Sequence, residues 1–154
     1  MSRTLGALLV AASLLVAHPA RAASCSLQGI VPLTFGRYEA SALSGSEAQG
    51  TISVLCSQLL PGESLRITIG SGDHGSGWTR HLASGPSRLA YQLYLDSSRT
   101  QVFGDGTGGT TAWTHTAGSQ PVSSFDVPVY GHIPAGQWVA AGSYTDTLTV
   151  TLVF

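Results

Sequence analysis

The segment Gly104-Asp-Gly-Thr-Gly-Gly109 looks most like a ligand cradle in this chain. A phosphate cradle needs a helix N-terminus after the loop and usually a lysine. No helical pattern follows, and the seven basic residues are all arginine. Calcium needs several oxygen ligands in a set order, and only Asp96 and Asp105 are near. The segment therefore reads as a glycine-rich turn. His74, His81, His115 and His132 form no His-x-x-x-His pair and none has zinc spacing to a cysteine, so no metal site and no cofactor are expected. Ser, His and Asp are plentiful, but there is no Gly-x-Ser-x-Gly elbow, and a triad is recognised by geometry. No catalytic residue is assigned. Trp78, Trp113 and Trp138 fall at strand ends or in loops; exposed they would stack on sugars, buried they pack a core or its rim. Trp113, in the polar run Thr110 to Gln120, is the one expected to be exposed. Trp78 and Trp113 are the candidate surface contacts.

Compartment follows from the N-terminus and the cysteines. Met1 to Ala22 combines Arg3, an apolar run from Leu5 to Ala17 and Ala20-x-Ala22, which predicts a secretory signal peptide cleaved before Ala23. The apolar run is short for a membrane span. Cys25 and Cys56, an even pair in an exported chain, predict one disulfide. A rival reading makes Cys25 a lipidated N-terminus, against which stands Ala22-Ala23-Ser24 with no leucine at the usual place. Losing Arg3 and Arg21 with the leader leaves five arginines against eight acids, a formal charge of −3. No basic run exists to bind nucleic acid or an anionic membrane.

The elements that must position these residues are strands. Nineteen glycines and seven prolines punctuate short extended runs, and after the leader no window carries apolar residues at helical spacing without Gly or Pro breaking it. The strands predicted are Ile30 to Phe35, Gly50 to Cys56, Leu65 to Gly70, Leu89 to Asp96, Ser123 to Ile133 and Gly142 to Phe154, with Pro32 and Pro128 as edge signals. Six strands in two sheets make one all-β antiparallel sandwich over residues 23–154. The last strand is the clearest: Leu148, Val150, Leu152 and Phe154 share one face, and Thr147, Thr149 and Thr151 the other. An apolar strand with no successor either lies between earlier strands or leaves an edge that something must cover.

Several segments in order resemble a known family. They are Arg80-His-Leu82, Leu89-Ala-Tyr-Gln-Leu-Tyr-Leu-Asp96, Arg99-Thr100, Phe103 to Gly109, Val129-Tyr-Gly-His-Ile-Pro-Ala-Gly136 and Ala141 to Phe154, with Phe35-Gly-Arg-Tyr38 and the two cysteines. This order resembles the spore coat protein U domain, the module of archaic chaperone–usher pilus subunits. The resemblance implies an immunoglobulin-like sandwich lacking its final strand. It implies a periplasmic chaperone that lends a strand beside the last one, an outer-membrane usher, and neighbouring pilus subunits that replace the lent strand. Leu148, Val150, Leu152 and Phe154 would then form one wall of a strand-acceptor groove, with the Phe154 carboxylate held by basic groups on the chaperone.

One departure bears on place in a fibre. Donor subunits carry an alternating stretch before the first cysteine; here Ala23 and Ser24 alone would precede Cys25. At about 3.3 Å per residue two residues cannot span a groove, so the expectation is an acceptor that does not donate, at a tip or as a minor subunit. The leading reading is a non-enzymatic structural subunit exported through the periplasm to a surface fibre. The second is a free-standing secreted or spore-coat-like module binding carbohydrate or surfaces through its aromatic loops. The third, a secreted hydrolase, needs a Ser, a His and an acid within hydrogen-bond reach in a cleft.

Overall fold

Alternation of buried and exposed side chains builds most of the strands in the computed structural model, which describes residues 23–57, 59–119 and 124–154. The predicted leader lies outside the described residues. In β2 (Ser46–Ser57) Ile52, Val54 and Cys56 face inward. In β3 (Ser64–Ile69) Leu65, Ile67 and Ile69 do so. In β5 (Ser87–Tyr94) the inward row is Leu89, Tyr91 and Leu93, and in β7 (Ser124–Ile133) it is Phe125, Val127, Val129 and Ile133. β1 (Ser24–Val31), β4 (Arg80–Ser84), β6 (Trp113–Thr116) and β8 (Val150–Val153) complete the described strands. They form two antiparallel sheets, ordered β1-β2-β7-β5-β4 and β6-β3-β8, which pack their inward rows together as a sandwich.

Eight strands stand where six were predicted. β4 and β6 were not anticipated. β1 begins at Ser24 rather than Ile30 and stops before Pro32, which has no N–H for a ladder. The terminal ladder covers only Val150–Val153; the chain before it is joined to its neighbours by separate bonds. Pro128 lies on β7, an inner strand, but β5 pairs only with Tyr130, Gly131 and His132. At Pro128 one side of β7 is locally an edge among the described residues, where a proline is tolerated.

Cys25 stands opposite Cys56 in the β1–β2 ladder, and the two are joined by a disulfide. The bridge closes a separation of 31 residues, worth about 3.5–4 kcal/mol in the chain-entropy account.

A buried cation holds the centre together. Arg80, the first residue of β4, is 0% exposed. Its Nε and Nη2 donate to the Gly70 carbonyl at 3.0 and 2.8 Å, Nη2 also donates to the Phe103 carbonyl at 2.8 Å, and Nη1 donates to Gln92 Oε1. The guanidinium thus ties β4 to the end of β3, to β5 and to the glycine-rich loop. Desolvation lowers its pKa from the ordinary arginine value, opposed by the nearby Tyr91 and Asp146, and an arginine remains charged regardless. Replacing Arg80 by Met should cost about 3–5 kcal/mol, because the carbonyls it serves lose their donors inside the fold. Lys should recover little, since one ammonium cannot reproduce the planar fork. Urea unfolding of the three proteins measures this; equal midpoints would refute it.

Candidate functional site

The two sheets do not meet along one side of the sandwich. Between the segment following β1 and the chain leading into β8 runs a cleft of about 1030 Å3. One wall carries Leu33, Phe35 and Tyr38; the other carries Val139, Tyr144, Leu148 and Val150. The floor is the core itself: Ile52, Ile69, Leu89, Leu93, Val129 and Ile133, from both sheets. These floor residues are at most 4% exposed, so the cleft is narrow at its base. Leu33 and Phe35 lean over it against Gly131, where a β-carbon would stand 2.6 Å from Leu33 Cδ2 and 2.7 Å from Phe35 Cζ. Only glycine fits that approach.

The β8 wall presents unpaired main chain. Thr145 exchanges bonds with Ala83 (2.8 and 3.1 Å), the Thr147 carbonyl accepts from Asp73 N–H (3.1 Å), and the Thr149 carbonyl accepts from Gly70 N–H (2.9 Å). In an extended chain, alternate residues turn their N–H and C=O to opposite sides. The odd-numbered residues are thus spent on β4, on the β3–β4 connection and, within the terminal ladder, on β3. Asp146, Leu148, Val150 and Leu152 turn theirs the other way, where no strand pairs among the described residues. The same even-numbered residues point their side chains inward and are half-buried, while Thr147, Thr149 and Thr151 are exposed.

Of the four residues expected along this groove, Leu148 and Val150 line the cleft. Leu152 is half-buried further along β8, against β3, and Phe154 is 50% exposed at the end. The opposite wall after β1 was not anticipated, nor was Asp146. Continuing the period of two backwards from Leu148 would have found it, as an acid in an inward-facing apolar row.

Asp146 is the hub of a polar cluster at the cleft. Its carboxylate, 1% exposed, accepts from the Tyr91 hydroxyl at 2.7 Å and from the His74 N–H at 3.3 Å, and lies 3.1 Å from His74 Nδ1. Burial, and then the bond to Asp146, push the Tyr91 hydroxyl well above the ordinary phenol range, so it remains a donor at neutral pH. An acid and a histidine in contact raise the hydrolase reading, but among the described residues no Ser, Thr or Cys side chain bonds to His74. The glycine-rich loop is closed on itself: Asp105 accepts from Thr107 N–H and hydroxyl at 2.8 and 2.6 Å, and the Arg66 guanidinium bonds the Asp105 carbonyl.

The tryptophans sit otherwise than expected. Trp113 lies in β6, half-buried, edge-on to Phe125 at 5.6 Å and stacked on His115 at 6.1 Å. The period of two, rather than the polar neighbours, decides its side. Trp78 is half-buried beneath Arg80, whose guanidinium carbon is 5.7 Å from its ring centre. Trp138, 80% exposed, is the open one.

Comparison with known proteins agrees with this architecture. A family model for the spore coat protein U domain matches residues 11–151. Protein U of Myxococcus xanthus is 30% identical over 178 aligned positions, covering 96% of this chain and 95% of that protein. A solved structure of the CsuC–CsuE chaperone–tip adhesion subunit pre-assembly complex, from archaic chaperone–usher Csu pili of Acinetobacter baumannii, superposes with a TM-score of 0.62 at 19% identity. That match covers 86% of this chain and 40% of the other, and it supports the immunoglobulin-like fold. With the family model spanning nearly the whole described sequence, the chain belongs to the spore coat protein U domain family.

Proposed function

We propose that the protein is a non-enzymatic structural subunit of a chaperone–usher surface fibre, and that the cleft beside β8 takes a strand from another polypeptide. The carrying observation is the conjunction of an apolar cleft with a row of unpaired main-chain groups along Asp146 to Leu152. A main-chain hydrogen bond contributes a net ~1 kcal/mol, and a large apolar side chain buried on the floor about 1.5–3 kcal/mol. Side-chain filling therefore adds to the affinity of the main-chain ladder, and the pockets for alternate side chains set specificity. A periplasmic chaperone would occupy the cleft first, and an outer-membrane usher would exchange it for a neighbouring subunit. Leu148 and Val150 would meet the incoming side chains, and Leu152 and Phe154 would extend the edge.

A finer reading concerns position. Were the leader cleaved between Ala22 and Ala23, too little chain would precede β1 to fill a neighbour's cleft, and the subunit would then stand at a fibre end or as a minor component. A second function, a binding module for carbohydrate or surfaces, draws support from Trp138, which is more exposed than Trp78 or Trp113. Loss of glycan binding in Trp138→Ala would favour it.

Three outcomes are expected. Exported alone, the protein should self-associate or be degraded; exported with its chaperone it should purify as a soluble one-to-one complex. A lone monomer equally soluble and heat-resistant would overturn the reading. Leu148→Asp should abolish co-purification, because a carboxylate in the apolar cleft costs ~3 kcal/mol or more, above a hundredfold or so in dissociation constant, while Thr149→Asp on the exposed row should not. Intact-mass measurement of the exported protein should fit a chain starting at Ala23; a longer mature N-terminus would remove the terminal placement.

A further inference from the structure

Asp146 is out of character with its row. Tyr144, Leu148, Val150 and Leu152 are aromatic or aliphatic, and all turn inward beside it. A buried carboxylate is costly unless several donors satisfy it. Here they come from two other elements: Tyr91 from β5, and both the ring and the main chain of His74 from the β3–β4 connection. The main-chain N–H and C=O of Asp146 face the open side, because its neighbours Thr145 and Thr147 spend theirs on Ala83 and Asp73. Fixing this side chain therefore fixes the first unpaired groups of the edge.

The need for such a fastening is visible in the chain around it. From Thr145 to Thr149 no continuous ladder exists; four separate main-chain bonds, to Ala83, Asp73 and Gly70, hold the segment on one side. Two of those partners, Gly70 and Asp73, belong to the connection that also carries His74. The connection is anchored in turn by Arg80, which bonds the Gly70 carbonyl from beneath. Through Asp146, side chains of His74 and Tyr91 thus fasten the segment to the connection and to β5, beside the main-chain bonds.

We propose that Asp146 is a positioning residue for strand capture: clamped by Tyr91 and His74, it holds the Thr145–Thr149 segment straight so that the edge can accept an incoming strand in one register. This rests on the strand-acceptor reading above. The clamp is placed at the edge: among the described residues the segment joins the five-stranded sheet through Thr145 and Ala83, and of the inward rows it draws on Tyr91 of β5.

The test compares the exported chain, kept dilute, with Asp146→Asn and Tyr91→Phe. Asn preserves shape and can still accept from Tyr91, but it presents an amide where the two His74 donors point; Phe removes one hydroxyl. Hydrogen exchange at the amides of Thr145, Asp73 and Gly70 should quicken about tenfold in Asp146→Asn, with amides of the β2–β7 ladder unchanged. The association rate of a synthetic peptide of alternating valine and threonine, followed by fluorescence anisotropy, should fall about tenfold in Asp146→Asn and less in Tyr91→Phe. A purely structural role would instead lower the unfolding midpoint and quicken exchange throughout both sheets. Should Asp146→Asn fail to fold, Tyr91→Phe carries the same comparison. If the unaltered chain captures the peptide and the variants capture it as fast with unchanged exchange, the positioning role is refuted while the acceptor reading stands. If the unaltered chain captures no peptide, the acceptor reading falls, and the positioning role with it.

Discussion

A β-sandwich is sealed when its two sheets are wide enough to cover the same core, and among the described residues here five strands face three. The inward rows of β2, β5 and β7 are nonetheless at most 8% exposed, and part of their cover comes from chain outside the three-stranded sheet. At roughly 25 cal/mol per Å2 of apolar surface, a strip left without a cover would be a standing cost, and segments outside the ladders offset it. Leu33 and Phe35 bend over Gly131, and Phe35 sets its ring edge-on to Tyr91 at 6.0 Å. The remaining slot ends at an unpaired strand edge, the arrangement that soluble proteins usually avoid.

The buried polar groups are grouped on the side of the strand beside the slot. Arg80 serves carbonyls at the end of β3 and in the glycine-rich loop, and Asp146 draws donors from β5 and from the β3–β4 connection. Both lie on the β4 and β8 side. At the opposite flank, the disulfide pins β1 to β2. Each flank of the cleft thus has its own fastening: covalent on the β1 side, electrostatic on the β8 side.

What the sequence disclosed follows from how each strand is buried. β2, β3, β5 and β7 have one face in the core and one outside, so their period of two is plain, and the terminal threonines and leucines announced β8. β1 is an edge strand with almost every residue exposed, so hydrophobicity carries no mark of where it starts. β4 opens with a buried arginine, which reads as a surface residue until its carbonyl partners are known. β6 is four residues, Trp-Thr-His-Thr, too short for a pattern. Of the cleft, the β8 wall was legible from alternation; the Leu33–Tyr38 wall was not, because it forms no ladder and is placed by tertiary contacts, among them the Tyr38 hydroxyl donating to the Pro134 carbonyl at 2.9 Å.

An apolar side chain at position 146 would pack inward at lower desolvation cost, so the acid calls for a reason tied to direction. Hydrophobic contact is non-directional: a Leu there would hold the segment close to the core without fixing its twist or its axial position. Three hydrogen bonds to two elements fix both. A strand already paired on each side needs no such fixing, because two ladders set its register. A strand paired on one side, if its other edge receives a segment of another chain as proposed, gains from having its geometry set in advance, since ordering it at the moment of encounter would draw on the binding free energy. On that proposal, the carboxylate of Asp146, in the inward row leading into β8, is where the setting is built in.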